Sequence, residues 1–333
     1  MKAYNLRGVG QLVYEDVRIP DVPKGWTLVK VKASSICSSD IPRIFVKGTY
    51  HFPTIPGHEF SGIVEKVGHG VEPEWVGKKV GVFPLIPCMN CDECKKGNYA
   101  RCSSYDYIGS RRDGAFAEYV LVPEWNLIEL SDKIPFRISA LLEPLTVAQH
   151  AINAIGDSEI NSIAIIGTGA IGFMAAIWAK ERGIDNIDVI ARDMRKGNIA
   201  NDLGVNLRTE SLNGYDCVIE AVGSKESIIQ SIQIVKPGGT VVMMGNPAGD
   251  INLPQNDYWK ILRKEITIKG VWNSSYGFKV ESEWVESVRL VESNKYNLGA
   301  LVTHIFSSTE LQKALKLMKN HEEPYCRVVI LWD

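Results

Sequence analysis

Short apolar runs punctuated by glycine and proline fill the chain up to about position 130. Leu28-Val29-Lys30-Val31, Gly62-Ile63-Val64-Glu65-Lys66-Val67 and Ala117-Glu118-Tyr119-Val120-Leu121-Val122 have β-type composition. The turn residues between them predict an antiparallel, barrel-like domain. The texture then changes. Asn161-Ser162-Ile163-Ala164-Ile165-Ile166 reads as a buried strand, followed by glycines and an apolar helix through Phe173–Ala179. Ile187–Ile190, Tyr215–Glu220 and Thr240–Gly245 read as further buried strands. Strands alternating with helices at this spacing predict a parallel α/β sheet. Beyond Trp272, amphipathic patterns predict helices around 281–293 and 308–320, and Arg327–Leu331 predicts a last strand. There is no internal repeat and no low-complexity tract.

Composition narrows the class. The chain has 333 residues, 45% hydrophobic and 23% charged, enough for two domains with their own cores. A formal net charge of −2 leaves no basic surplus for nucleic acid or a membrane surface. No apolar run approaches bilayer-spanning length, and Met1–Leu6 lacks a signal-peptide pattern, so a cytoplasmic location is expected. Of seven cysteines, Cys88, Cys91, Cys94 and Cys102 are bunched, while Cys37, Cys217 and Cys326 stand apart. Bunching in such a chain reads as metal binding rather than as a disulfide framework.

Gly167-Thr168-Gly169-Ala170-Ile171-Gly172 is a G-x-G-x-x-G that follows a predicted strand and opens a predicted helix. In that context it is a dinucleotide fingerprint. The first glycine permits the tight turn, the second lets backbone approach the pyrophosphate, and the third lets the helix pack on the sheet. The helix start then offers free N–H groups to phosphate. An NAD enzyme places an acid at the end of the second strand, roughly 20 residues on. Here that position holds Ala191, with Arg192, Asp193, Arg195 and Lys196 just beyond. Cations without the acid favour a 2′-phosphate, hence NADP over NAD. Asp193 would take the ribose role if the strand ran on.

The spacing Cys88-x2-Cys91-x2-Cys94-x7-Cys102 brings four thiolates together, the donor set of a closed, structural zinc site. Such a site staples a loose lobe and performs no chemistry. A second set is dispersed: Cys37-Ser38-Ser39-Asp40, Gly57-His58-Glu59 and Glu143-Pro144-Leu145. Thiolate, imidazole and carboxylates together make the mixed donor set of a catalytic zinc. Singly, each is as readily a buried thiol or a satisfied histidine.

With these motifs assembled, the chain resembles the zinc-containing medium-chain alcohol and sorbitol dehydrogenases over essentially its whole length. The stretches that carry the likeness include Ser39–Phe45, Gly57–Gly62, the cysteine lobe leading into Tyr107–Gly114, and Lys260–Glu265. The likeness implies an α/β protein: a GroES-like, mainly-β catalytic domain (1–148, with 273–333 returning to it) and an inserted Rossmann, doubly wound parallel-sheet domain (149–272). It implies that Cys37, His58, Glu59 and Glu143 surround a catalytic zinc, the two glutamates exchanging places with water. It further implies that Ser39 relays the alcohol proton, that Asp40 orients His58, and that the protein is a homodimer or homotetramer. Two departures stand out. Many relatives end the relay on a histidine where this chain has Pro42, and the subgroup commonly has an acid where Ala191 stands. The subgroup likeness points to a sugar-alcohol phosphate such as galactitol 1-phosphate as substrate, with Arg43 the preferred phosphate anchor and Ser110-Arg111-Arg112 as further cations. The alternative is an unphosphorylated polyol such as sorbitol or xylitol. A zinc-ribbon binding module and an inactive dinucleotide sensor fit less well, given the missing basic surplus and the intact Cys37, Ser39 and His58.

Overall fold

In the computed structural model, which describes residues 1–156 and 159–333, the chain divides into two units. One is Met1–Glu143 with Ser275–Asp333; the other is Pro144–Ser274. The helix Leu142–Asn153 runs through the first division. Periodicity therefore offers no break there, and the division falls at Glu143 rather than at the expected 148.

The first unit is organised by one long strand. Trp26–Ser35 pairs antiparallel with Glu59–Val67, with Tyr119–Pro123 and with Arg327–Leu331. Lys79–Val82 and Leu127–Glu129 extend the sheet on one side, and Val302–Ser307 closes the other. That last pairing, with Arg327–Leu331, is parallel, so the expected antiparallel sheet is in fact mixed. Parallel pairing needs a crossover connection, here the helix Leu311–Asn320. Val29, Val31, Ile36, Phe60, Val64, Val80 and Val328 form the core with Leu311, Leu315 and Met318 of that helix. Pleating explains the pattern: alternate side chains of each strand face this core.

The second unit is a six-stranded parallel sheet. Its strands run in the order Asn206–Arg208, Asn186–Ile190, Ser162–Ile166, Tyr215–Glu220, Val235–Met243, Thr267–Gly270. Numbered by chain position this is 3-2-1-4-5-6, the dinucleotide-binding order, in which ligands bind beyond the carboxyl ends of the strands where the order reverses. The fifth strand starts five residues before the expected Thr240 and ends at Met243 rather than Gly245. Gly238 and Gly239 lie within the strand where its pairing register shifts. At its end, the N–H groups of Met244 and Gly245 turn to the Glu220 carbonyl, each at 3.0 Å. Among the described residues, no helix is long and apolar enough to cross a membrane.

Candidate active site and metal centres

Strand register brings the mixed donor set together. Ser35 lies opposite Glu59 on one side and Val329 on the other. The strand starts Glu59 and Arg327 therefore meet beside the strand end that leads into Cys37. The ligand atoms of Cys37, His58 and Glu59 lie within 4.8 Å of one another. Glu59 is fully buried, and Arg327 Nη1 donates to its two oxygens at 3.0 and 2.8 Å. Ser35 Oγ donates to the same carboxylate. The charge of Glu59 is thus balanced within the protein.

Cys37, Ser39 and Asp40 form one tight turn. The Cys37 N–H donates to Asp40 Oδ2 at 3.1 Å, and Ser39 Oγ donates to Cys37 Sγ at 3.2 Å. Asp40 is fully buried, with Oδ1 3.5 Å from His58 Nδ1, an ion-pair distance rather than a formed hydrogen bond. Arg43 Nη1 donates to that same Oδ1 at 2.6 Å. Burial pushes the Asp40 carboxyl up, but His58 and Arg43 outweigh it and hold it below the usual range. Arg43, expected to face a phosphate, is therefore engaged with the carboxylate behind His58, and its side chain is only 19% exposed.

Glu143 stands outside the three-ligand group but beside it. Burial and the charge of Glu59 push its carboxyl up to about 7. Tyr107 Oη donates to Glu143 Oε1 at 3.4 Å, and the Tyr107 ring meets His58 edge-on, with centroids 5.7 Å apart. Burial and Glu143 hold this phenol well above its ordinary value, so Tyr107 stays a donor. The segment reaches His58 through glycines: a Cβ on Gly109 or Gly114 would lie 2.4 or 2.1 Å from the Gly57 carbonyl. Sequence reasoning assigned no role to Ser35, Tyr107 or Arg327. The only signal available for Tyr107 was its place in the segment leading out of the cysteine lobe.

The four bunched cysteines converge, with all four Sγ atoms within 4.8 Å of one another. Cys88 and Cys94 sulfurs are 4.0 Å apart, close to the roughly 3.8 Å separation implied by a tetrahedron with ~2.3 Å zinc–sulfur bonds. Backbone N–H groups favour thiolates: those of Cys94 and Ser103 lower the Cys91 thiol to about 6, and Cys88 N–H donates to Cys102 Sγ at 3.2 Å. Burial pushes Cys94 up to about 12, a penalty that a bound cation offsets. Both donor sets fit zinc.

In the second unit, Gly167 adopts φ +120°, and a Cβ on Gly172 would lie 2.0 Å from the Gly167 carbonyl. Nothing lies within 4 Å of a Cβ built on Gly169. No side chain caps the helix Ala170–Glu181, so the N–H groups of Ala170, Ile171 and Gly172 remain for a phosphate. Lys196 Nζ donates to the Thr168 carbonyl of this loop at 2.8 Å. The second strand ends at Ile190, and Ala191 is buried beyond it. Asp193 does not continue the strand; its carboxylate takes Arg195 Nε and Nη2 at 3.0 and 2.8 Å. Arg192 is exposed.

Comparison with known proteins agrees with this geometry. Residues 23–132 match the alcohol dehydrogenase GroES-like domain, and residues 170–293 match the zinc-binding dehydrogenase family. The chain is 33% identical over 310 residues to galactitol 1-phosphate 5-dehydrogenase of Escherichia coli (strain K12), covering 89% of this chain and 90% of that one. It is 30% identical over 343 residues to a probable D-xylulose reductase A of Aspergillus clavatus, covering 95% and 93%. The crystal structure of galactitol-1-phosphate dehydrogenase from Escherichia coli matches with a TM-score of 0.91 at 31% identity, covering 99% of this chain and 100% of that one. The chain belongs to the zinc-dependent, NAD(P)-dependent alcohol and polyol dehydrogenases of the medium-chain family.

Proposed function

We propose that the chain oxidises a secondary hydroxyl of a sugar-alcohol phosphate, of the galactitol 1-phosphate kind, to a ketose phosphate. The reading is carried by its likeness, over 89% of its length, to an enzyme named for that substrate. The arginines of Ser110-Arg111-Arg112, on the segment leading from the cysteine lobe, support it. The likeness to a D-xylulose reductase favours the second reading, an unphosphorylated polyol.

Two zincs are proposed. Cys88, Cys91, Cys94 and Cys102 would hold a structural one; Cys37, His58, Glu59 and, in exchange with water, Glu143 would hold a catalytic one. When bound, the catalytic zinc supplies a Lewis acid for the alcohol oxygen, and the nicotinamide supplies the hydride acceptor. The chain does the rest. Ser39, beside the Cys37 sulfur, receives the alcohol proton and passes it outward. Asp40 orients His58, and Arg43 keeps Asp40 ionised and in place. Pro42 occupies the position where relatives carry a further acceptor, so the proton leaves Ser39 through water.

For the cofactor, NADP is favoured over NAD. Ala191 neither accepts from ribose hydroxyls nor repels a phosphate. Arg192 is exposed for a first charge-assisted contact, and Arg195 joins it by leaving Asp193. A homodimer or homotetramer in the cytoplasm completes the proposal.

The test is a matched panel: galactitol 1-phosphate against galactitol, sorbitol and xylitol, each with NAD and NADP, followed by nicotinamide absorbance. A kcat/KM at least about tenfold higher for the phosphate and for NADP is expected, a difference of roughly 1.4 kcal/mol. Ala191→Asp with Arg192→Ile should reverse the cofactor preference. Equal use of xylitol or sorbitol would establish the second reading instead.

A further inference from the structure

The reading of a phosphorylated substrate leaves open which side chain meets the phosphate, and two of the three candidate arginines are already engaged. Arg43 is bound to buried Asp40 at 2.6 Å. Arg112 pairs with Asp106 at 2.7 Å and lies over the Trp26 ring, 4.5 Å from its centroid. Its sequence neighbour Asp113 instead accepts from the Ile55 N–H at 2.9 Å.

Arg111 is different. Its guanidinium packs against two rings, 4.3 Å from the Tyr50 centroid and 4.4 Å from that of Tyr105. Its hydrogen bonds run from Nη1 to the Tyr105 carbonyl at 3.1 Å and from Nη2 to Tyr50 Oη at 3.5 Å. Nε is buried without a partner, and Arg111 makes no ion pair among the described residues. Nε is closed off, so the second N–H groups of Nη1 and Nη2 are what the guanidinium has left for a ligand. Edge-on, paired donation is how this group grips a phosphate, and a group already immobilised loses little freedom on binding. The backbone of Arg111 is tied to the segment that reaches the ligand set. The Arg111 N–H donates to the Tyr107 carbonyl at 3.0 Å, one turn of chain or roughly 6 Å along it. The Tyr107 phenol in turn reaches Glu143. Tyr50, on the facing loop, donates its N–H to the Ser110 carbonyl at 3.4 Å.

We propose that Arg111, held by Tyr50 and Tyr105, is the specificity residue that binds the phosphate monoester of the substrate, while Arg43 serves only to position Asp40. The proposal rests on the polyol-phosphate reading above. Its experiment measures kcat and KM for galactitol 1-phosphate and for galactitol in the zinc-loaded wild type, Arg111→Met, Arg111→Lys and Tyr50→Ala. Arg111→Met should raise KM for the phosphate about 10- to 100-fold, the range for loss of charge-assisted hydrogen bonds, and change galactitol by less than about threefold. Arg111→Lys should retain part of the preference, since it keeps charge but not the flat fork. Tyr50→Ala, a change at a 70% exposed side chain that the fold tolerates, should raise the same KM several-fold. Equal losses on both substrates would make Arg111 a structural tie between two loops and overturn the assignment. If the wild type prefers the phosphate but neither Arg111→Met nor Tyr50→Ala moves that preference, the phosphate reading stands and Arg111 is the wrong residue. A wild type indifferent to the phosphate overturns both.

Discussion

Ser39 carries its hydroxyl 3.2 Å from the Cys37 sulfur, so one atom can accept a proton from an alcohol brought to the ligand set. Ser39→Ala should lower turnover by about 10²-fold, the worth of a positioned proton-transfer group, with zinc content and dinucleotide binding unchanged. Unaltered turnover, with hydride transfer shown to limit the rate, would remove Ser39 from the reaction. Arg327 makes a different prediction. It holds the buried Glu59 carboxylate with two contacts. Arg327→Met should destabilise the protein to urea by about 3–5 kcal/mol, the cost of leaving a buried charge alone. The double variant with Glu59→Gln should recover part of that loss; if it does not, the two residues are not coupled. Cys37, Ser39 and His58 were legible because their types and short spacings announce a ligand set. Arg327 was not, because it lies 268 positions from Glu59 and only sheet pairing joins them.

At the scale of elements, the cysteine lobe and the mixed ligand set should respond oppositely to mutation. The lobe holds little regular structure: a one-turn helix, Asp92–Lys95, a 3-10 turn, Tyr99–Arg101, and the two-stranded pair Leu85–Ile86 with Asp106–Tyr107. Its order therefore depends on the four converged sulfurs. Cys91→Ser should remove about one zinc per chain and lower the melting temperature, since metal binding to such a site is folding energy. Zinc analysis and thermal unfolding are the readouts; unchanged values would rule out a structural site. His58→Ala should abolish turnover while leaving the melting curve largely intact. The four central strands and the first helix of the second unit were readable from apolar runs between glycines, whereas the short outer strands Asn206–Arg208 and Thr267–Gly270 were not. The start of Val235–Met243 was not, because Gly238 and Gly239 look like a turn until the neighbouring strand is seen to accommodate them.

For the whole molecule, the sheet of the second unit ends at Thr267–Gly270, an edge strand. Ile268, Trp272, Tyr258, Trp259 and Leu262 are exposed on and near that strand. Exposed apolar side chains on an open edge are a template for pairing. A second copy of the chain is the natural occupant, in keeping with the proposed homo-oligomer. Light scattering should find the wild type as a dimer or tetramer and Ile268→Lys shifted toward monomer at unchanged helix content. A monomeric wild type would exclude the oligomer.

The sequence alone determined what depends on short range. Glycine spacing after a strand, four cysteines within one loop, and a thiol two residues from a hydroxyl each carry their chemistry in a few consecutive positions. Tertiary structure decided which charges meet. Register aligned Ser35, Glu59 and Val329, and so put Arg327 on Glu59 rather than in solvent. The turn at Asp40 drew Arg43 inward, away from the role its sequence position suggested, and two tyrosine rings packed against Arg111. An arginine reads the same in any loop; its partner is set by which carboxylate or ring the fold carries within reach, and that distance is not written in the neighbouring residues.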